Sequence, residues 1–218
     1  MATPGKIIPV AKEGYPFILI FLVIGVLTEF ISHPVSYIVS GFSFLLALQC
    51  IYFFRDPERK IIVDESFVLS PADGKIMEIG EEDIPVLGGK VRVIKIFLSI
   101  FNVHVQRSPL SGRISSIEYK IGKFLDARDK RAAIENEQNH VYIENEKVKI
   151  MVKQIAGLIA RRIVCWVKKG DNVAQGERLG LIRFGSQVDI YLPLTAKVCV
   201  AEEDVVEGGL SVLAVLNI

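Results

Sequence analysis

Residues 147–156 read KVKIMVKQIA, and this stretch decides the type of fold that we expect. Val148, Ile150 and Val152 alternate with lysines along it. Successive side chains of a β-strand point to opposite faces, so the alternation predicts a strand with a wet lysine face and a second face in a core. One wet face is typical of an antiparallel sheet, because both faces of a parallel sheet are usually covered.

The surrounding sequence extends this pattern. Three further stretches alternate or carry β-branched residues: HVYIEN at 140–145, RRIVCWV at 161–167 and QVDIYLP at 187–193. Glu144-Asn145-Glu146 predicts a hairpin turn, and Gly88-Gly89 predicts another break. The densely charged segment 124–139 predicts a long loop or a short helix. We therefore expect a mainly β domain with an antiparallel architecture and few helices.

The N-terminal quarter has a different composition. Residues 16–54 form two apolar runs separated by Ser32-His33-Pro34. The second run, 35–54, has 20 residues without a charge, which matches a hydrocarbon core of about 30 Å at about 1.5 Å per residue. The first run is shorter and carries Glu29, whose insertion would cost roughly 3 kcal/mol. A short or re-entrant first leg is therefore an alternative to a full span.

Basic residues lie on both sides of this hairpin and are absent from its loop. They are Lys6, Lys12, Arg55, Arg59 and Lys60. The distribution predicts that both ends are cytoplasmic. We expect a membrane-associated helical hairpin at 1–55, and a domain at 56–218 on the cytoplasmic side of the cell (inner) membrane. A buried hairpin in a soluble core is the alternative.

The net charge and the spacing of the cysteines and histidines exclude some classes of function. The net charge is +1 over 218 residues, which argues against nucleic acid as a partner because phosphate binding usually needs a basic excess. Cys50, Cys165 and Cys199 are widely spaced and match no metal-ligand pattern. The three histidines are scattered. We therefore predict a reducing compartment and no metal.

Four short motifs carry the functional signal. They are FFRDPER at 53–59, SPADGKI at 70–76, NVHVQRSP at 102–109 and RFGSQVDIYLP at 183–193. Together they resemble phosphatidylserine decarboxylase, in the short form of bacteria and archaea, and the resemblance spans nearly the whole chain. A Gly-Ser dipeptide is common by itself, but it is specific in this combination.

The resemblance implies that the chain cuts itself between Gly185 and Ser186. A serine hydroxyl is a weak nucleophile that needs a base or a strained peptide, and a preceding glycine allows close approach and unusual backbone conformations. The implied product is a heterodimer of chains 1–185 and 186–218. Ser186 would become a covalent pyruvoyl group at the head of the smaller chain.

That pyruvoyl group would be the cofactor of a decarboxylase. By resemblance, it forms an imine with phosphatidylserine and acts as the electron sink while carbon dioxide leaves, which yields phosphatidylethanolamine. The partners implied are the phospholipid and the membrane. A related serine-headed lipid such as archaetidylserine is an alternative substrate.

Three further residues receive roles from the resemblance. His104 is the candidate general acid or base, since its ordinary pKa suits proton transfer near neutral pH. Asp73 matches an aspartate that orients a histidine in an Asp-His-Ser relay in longer members. Those members have a second histidine where this chain has Arg107, so the base for self-cleavage is left open. Arg107 is the candidate for binding the substrate carboxylate or phosphate.

Two other interpretations compete with this one. The stretch 164–186 resembles the lipoyl and biotinyl carrier fold, which predicts a barrel-sandwich portion. A non-catalytic, membrane-anchored β domain of that shape is the rival from another class, although no modifiable lysine stands at a hairpin tip. A soluble pyruvoyl-dependent amino-acid decarboxylase shares the serine chemistry but leaves the apolar hairpin unexplained.

Overall fold

The structure is a computed structural model of the chain. It describes residues 10–31, 33–126, 131–158, 162–183 and 186–217. The chain divides into two compact units, Met1–Glu58 and Arg59–Ile218.

The N-terminal unit is the expected helical hairpin. A short 3-10 turn (Lys12–Gly14) precedes α1 (Tyr15–Glu29), and α2 (Pro34–Phe53) follows. The second helix begins at a proline because the fixed φ of proline suits the first helical position. The His33 ring caps this end: its Nδ1 accepts a hydrogen bond from the Val35 N–H at 3.2 Å.

Small side chains let the two helices pack closely. The buried small residues of α2 recur every three or four positions and so share one face: Ser36, Ser40, Ser43, Ala47 and Cys50. Gly25 of α1 lies against the Phe44 ring, which a Cβ at this position would meet at 3.1 Å. Ser40 Oγ donates a hydrogen bond to the Glu29 carboxylate. This contact gives the single acidic residue of the two helices a polar partner.

The helices α1 and α2 differ in whether they are long enough to cross a membrane. Among the described residues, α2 is the one helix that is long and apolar enough to cross a membrane. The 15 residues of α1 rise about 22 Å, which is less than a hydrocarbon core of about 30 Å. The apolar helix α2 favours membrane association, and the shorter α1 matches the weaker first run of the sequence.

Within the described ranges, the second unit consists of fourteen strands and one short helix. The strands are β1 (Phe67–Leu69), β2 (Gly74–Ile84), β3 (Gly89–Leu98), β4 (Val105–Arg107), β5 (Gly112–Lys120), β6 (Gln138–Glu144), β7 (Lys149–Ala156), β8 (Ile163–Cys165), β9 (Asn172–Val173), β10 (Arg178–Ile182), β11 (Ser186–Pro193), β12 (Lys197–Val198), β13 (Val205–Val206) and β14 (Val212–Val215). The helix is α3 (Ala132–Glu135), and a 3-10 turn covers Pro85–Leu87.

These strands pair antiparallel, which confirms the predicted fold class. Eight of them form one sheet in the order β13-β2-β3-β11-β7-β6-β5-β9. Two three-stranded sheets have the orders β4-β10-β8 and β1-β14-β12. The carrier-like stretch supplies β8, β9 and β10, with left-handed turns at Gly170 and Gly176. Glycine has no Cβ and so adopts these positive φ angles without strain.

The hydrophobic core lies on one face of the large sheet. Ile150 and Val152 of β7 are fully buried there, as the alternation predicts. Val188 and Ile190 belong to the same cluster. These neighbouring strands therefore bury the same face, and the register across β7 and β11 keeps those side chains together.

The opposite face of the sheet is not exposed to solvent along its whole length. The prediction of a solvent-exposed lysine face is therefore wrong for part of β7. Met151 is 2% exposed and packs with Tyr142 and Tyr191. Ile84 and Leu87, near the tip of the β2–β3 hairpin, pack against this second cluster. The hairpin covers part of the face, which alternation within a single strand does not reveal.

The predicted turns are confirmed. Asn145 and Val148 close the β6–β7 hairpin through an N–H to carbonyl hydrogen bond of 3.0 Å. Gly88 and Gly89 have φ of 94° and 107° at the break between β2 and β3. The charged segment contains the short helix α3; its residues 127–130 lie outside the described residues.

Gly112, the first residue of β5, provides a test of the packing. A Cβ at this position would lie 2.6 Å from the Glu144 carbonyl oxygen. We expect Gly112→Ala to lower the free energy of unfolding by about 1–3 kcal/mol, because the two strands must separate to relieve the overlap. Urea unfolding of the purified chain in detergent micelles measures this change.

Gly80→Ala is the matched control. Its Cβ would first meet the flexible Glu78 carboxylate at 3.3 Å, so the free energy of unfolding should change by less than about 0.5 kcal/mol. Equal losses in both variants would contradict the packing described for β5.

Candidate active site

Ser186 begins β11 and lies between two strand ends. Its backbone pairs with Leu98, the last residue of β3, and with Ala156, the last residue of β7. The side chain is fully buried. Its Oγ has no hydrogen-bond partner among the described residues. Buried hydroxyls usually have a partner, so an unpaired one here indicates a group held for chemistry. Gly185, the other predicted cleavage residue, lies outside the described residues.

His104 reaches the same end of the sheet through a short loop. The chain leaves β3 at Leu98 and enters β4 directly after His104. The His104 carbonyl oxygen accepts a hydrogen bond from the N–H of Ile182, the last residue of β10, at 3.3 Å. Ile182 in turn lies four positions before Ser186 in the chain. His104 is thus hydrogen-bonded to the last residue of the strand that precedes Ser186 in the chain.

The His104 ring is fully buried and oriented by a backbone group. Its Nδ1 lies 3.0 Å from the Asn102 carbonyl oxygen. A carbonyl oxygen can only accept, so Nδ1 carries the proton in this contact. In the neutral ring, Nε2 is then the basic nitrogen, which is the form that a general base requires.

A chain of buried amides supports the backbone of His104. Asn139 Nδ2 donates to Gln154 Oε1 at 2.8 Å, and Gln154 Nε2 donates to Gln106 Oε1 at 2.8 Å. Gln106 Nε2 donates to the His104 carbonyl oxygen at 2.7 Å. All three amides are at most 1% exposed. A buried polar network in which each member is paired is rigid, so this chain fixes His104 relative to β6 and β7.

Asp73 lies directly before β2, in contact with an arginine. The two Asp73 carboxylate oxygens accept hydrogen bonds from Arg59 Nη1 at 2.6 Å and Nη2 at 2.8 Å. Its Oδ1 also accepts from the Gly208 N–H at 2.8 Å. A two-pronged pair of this kind is a strong, directional contact. The orienting role of Asp73 toward His104 stays a prediction.

Arg107 is buried at the end of β4. It is 5% exposed, and its Nη1 donates to the Gly176 carbonyl oxygen at 3.0 Å. Its backbone N–H donates to the Pro71 carbonyl oxygen at 2.8 Å, which joins β4 to the SPADG segment. The fold thus brings together two motifs that the sequence separates. Binding of substrate by Arg107 stays a prediction.

A row of titratable side chains crosses the sheet on the face opposite to Ser186. The strand register places these residues side by side: Glu78, Lys95, Asp189, Lys153, His140 and Glu118. Asp189, at the centre, is fully buried. Its Oδ1 accepts from Gln187 Nε2 at 2.6 Å, and its Oδ2 has no hydrogen-bond partner in the part of the chain that the structure describes.

Burial is the largest cause of the pKa shifts of three residues in this row. It raises the pKa of Asp189 to about 6, although Lys153 and Lys95 act in the opposite direction. Burial also lowers the pKa of Lys153. Burial, with the charges of Lys153 and Lys120, lowers the pKa of His140 to about 4. Desolvation thus works against the ionised forms of Asp189, Lys153 and His140. At Lys95 burial also lowers the pKa, but the hydrogen bonds with Glu78 and Glu82 outweigh it and raise the pKa.

Sequence reasoning missed four residues that shape this region. Arg59 and Gln106 lie inside two of the quoted motifs, but their partners are distant in the sequence. Gln154 interrupts the apolar face of β7, and Asp189 is a single acidic residue in an apolar strand. For Gln154 the available signal was a polar residue on the predicted core face of β7. Asp189 lies on the other face of β11, where alternation alone predicts a polar residue and gives no sign of burial.

A cavity of about 530 Å³ opens beside the β6–β7 turn, with Ser111, Arg113, Asn145, Lys147 and Asn172 in its wall. It lies at the other end of the sheet from Ser186. Across the described ranges, no group of three or more His, Cys, Asp or Glu side chains could hold a metal ion.

Comparison with known proteins defines the class. Residues 46–214 match the sequence model of a decarboxylase family, described as phosphatidylserine decarboxylase. The chain belongs to this family, which confirms the resemblance carried by the four motifs. The phosphatidylserine decarboxylase proenzyme of Geobacter metallireducens is 46% identical over 213 residues, covering 95% of this chain and 97% of that protein. The proenzyme of Citrifermentans bemidjiense is 44% identical with the same coverage.

Asp189 gives a test of the electrostatics. Its pKa is raised from 3.8 to about 6 in the folded chain. As pH rises through this interval, the unfolded chain ionises while the folded chain keeps the proton, so the stability of the native protein falls. Between about pH 4 and pH 6 the free energy of unfolding of the native protein should fall by an amount on the order of 3 kcal/mol. We expect Asp189→Asn to abolish this fall.

The measurement is the free energy of unfolding of both proteins at a series of pH values. The difference between variant and native protein should be smallest near the acid end of the interval and grow toward neutral pH. Parallel curves would show that Asp189 ionises with the same pKa in both states, contrary to its burial.

Proposed function

We propose that the chain is a self-processing phosphatidylserine decarboxylase that cuts itself between Gly185 and Ser186. The observation that carries the proposal is the buried Ser186 hydroxyl at the head of β11, which has no hydrogen-bond partner among the residues that the structure describes, in a chain whose relatives are named proenzymes. A hydroxyl without a competing hydrogen bond is available to attack the preceding carbonyl. Family membership favours this function over a non-catalytic carrier-like domain.

The cleavage balances without an external reagent other than water. Ser186 Oγ attacks the Gly185 carbonyl carbon, and the bond to the Ser186 nitrogen breaks, which turns the peptide into an ester. Loss of the Ser186 α proton then breaks the bond from its β carbon to oxygen and releases the Gly185 carboxylate. Hydrolysis of the remaining dehydroalanine releases ammonia and leaves the pyruvoyl group.

His104 is the proposed base. Its Nδ1 proton points to the Asn102 carbonyl oxygen, so Nε2 is the nitrogen that takes the Ser186 proton and later returns a proton to the product. The amide chain ending at the His104 carbonyl oxygen keeps the ring in position. Burial in a water-poor site strengthens each of these contacts.

Asp73 and Arg107 complete the proposed set. Asp73, paired with Arg59, holds the SPADG segment in place. Its proposed part in self-cleavage is indirect, because the Asn102 carbonyl oxygen, not Asp73, orients the His104 ring. Arg107, joined to that segment through the Pro71 carbonyl oxygen, offers a cation for the carboxylate or phosphate of the substrate. The pyruvoyl group would supply the electron sink that decarboxylation needs.

Sheet pairing explains how the two chains stay together after the cut. All eight residues of β11 pair with β3, and six also pair with β7. The short strand β14 pairs with β1, and β13 pairs with β2. Chain 186–218 is thus held by backbone hydrogen bonds to chain 1–185, as a heterodimer requires.

The helical hairpin suits a lipid substrate. An apolar helix such as α2 would hold the chain at the cell (inner) membrane, with the domain 56–218 on the cytoplasmic side, where the basic flanks predict it. Phosphatidylserine is the proposed substrate, and archaetidylserine presents the same serine head group.

Ser186→Ala tests the cleavage. Without the hydroxyl no ester can form, so the variant should appear as one intact chain that releases no carbon dioxide from phosphatidylserine. The native protein should appear as two chains, the smaller blocked by a pyruvoyl group. Intact-mass spectrometry, with assays on phosphatidylserine and on free serine, measures both properties.

Ser43→Ala is the control for this variant, since Ser43 is a buried serine of α2 that should not affect cutting. An active native protein that still carried an ordinary serine joined to Gly185 would overturn the proposal.

Gln154→Leu tests the amide chain. The change leaves Asn139 Nδ2 and Gln106 Oε1 without their partner, and His104 loses its fixed position. Losing about 1 kcal/mol of the hydrogen-bond free energy that holds His104 in position should slow self-cleavage about fivefold. The measurement is the fraction of uncut chain as a function of time after synthesis.

Gln175→Leu is the matched control. Gln175 is also buried and donates to the Phe67 and Pro109 carbonyl oxygens, which lie outside the amide chain. Both variants should unfold at lower temperature, but only Gln154→Leu should slow cleavage. Equal slowing in the two would assign the effect to general loss of stability.

A further inference from the structure

The strands around Ser186 end together at one edge of the large sheet. Ser186 pairs with the ends of β3 and β7. The start of β6 pairs with the end of β7 at Ile155 and with the end of β5 at Lys120. The connections that leave β3, β7 and β5, and the one that enters β6, therefore surround this edge. We call it the Ser186 edge.

Large apolar side chains are exposed on these connections. They are Ile100 (41% exposed), Phe101 (61%), Ile121 (86%), Ile134 (69%) and Leu158 (63%). Single exposed apolar residues are normal in soluble proteins, but a set on adjacent connections is a patch. The strands from β3 to β5 are separated by four spacings of about 4.8 Å, so the patch spans roughly 20 Å.

The position of the patch limits what can cover it. Ile100 and Phe101 belong to the loop that joins Leu98 to His104, and Leu158 lies two positions after Ala156. Both loops thus begin at the residues that pair with Ser186. A head group that reaches the buried Ser186 from this edge must pass between these apolar side chains.

The charges beside the patch favour an anionic lipid surface. Lys120, the last residue of β5, and Arg162, in the connection between β7 and β8, are exposed at this edge. Lys120 Nζ contacts the Ile134 carbonyl oxygen at 2.7 Å, which places this cation at the patch. Basic side chains next to apolar and aromatic ones are typical of residues that lie at the level of lipid head groups.

We propose that the Ser186 edge contacts the bilayer directly, with Phe101, Ile100 and Leu158 inserted among the lipids around the substrate. The inference rests on the proposed function for its lipid substrate. It assigns a second membrane contact, separate from the helical hairpin. Its role is to bring the serine head group to the site without complete extraction of the lipid from the membrane.

Fluorescence tests this contact without any turnover. The chain has one tryptophan, so a second one gives a difference signal. The full chain carrying Phe101→Trp would be reconstituted in vesicles of phosphatidylcholine and phosphatidylserine, with brominated phosphatidylcholine as the quencher. Val86→Trp is the control, because Val86 is similarly exposed at the tip of the β2–β3 hairpin. We expect quenching of the new tryptophan in Phe101→Trp and none in Val86→Trp.

Activity gives the second readout. Two rates of carbon dioxide release are compared, one from phosphatidylserine in vesicles and one from soluble dihexanoyl phosphatidylserine. The ratio of the first rate to the second should fall about tenfold in Phe101→Ser, as expected when an aromatic side chain loses its contact with lipid. Val86→Ser should keep the native ratio.

The outcomes separate this inference from the proposed function. Quenching at position 101 without decarboxylation would support the contact of the Ser186 edge with the bilayer and would contradict the assignment as a decarboxylase. Decarboxylation without quenching at position 101 would overturn the contact. A position 101 signal shielded before lipid is added would instead assign the patch to a second copy of the chain, and would also overturn the inference.

Discussion

Strand β11 pairs with β3 on one side and β7 on the other, and the remainder of the site is arranged around this placement. Each residue from Ser186 to Tyr191 has a partner in both neighbours. Antiparallel hydrogen bonding on both sides leaves the strand little freedom to slip, because a shift of one residue would exchange its two faces. The position of the Ser186 side chain is therefore set by backbone pairing rather than by its own contacts.

The two faces of β11 serve different purposes. On one face lie Ser186 and the apolar core, with the amide of Gln154 linked through Gln106 to His104. On the other lies Asp189, buried beside Lys153, whose pKa is lowered by desolvation. Buried polar groups cost stability unless they are paired. The amides meet this requirement among themselves, whereas Asp189 meets it only in part.

Strand patterning was the most predictable part of the fold. The alternation in KVKIMVKQIA correctly predicts that Ile150 and Val152 enter the core, and the Gly88-Gly89 break correctly predicts a turn. The prediction of a wet lysine face was wrong at Met151, which the β2–β3 hairpin helps to bury. Alternation reports the two faces of one strand and contains no information on what a distant hairpin covers.

The candidate site divides in the same way. The motifs alone selected Ser186, His104, Asp73 and Arg107, since each stands in a short local pattern typical of the family. Only the tertiary structure paired Asp73 with Arg59, linked Asn139, Gln154 and Gln106 in one chain, and buried Asp189 beneath a covered face. Local sequence determined which residues carry the chemistry, because periodicity and turn chemistry act over a few positions. Folding decided their partners, because those partners come from strands that are adjacent in the sheet and remote in the chain.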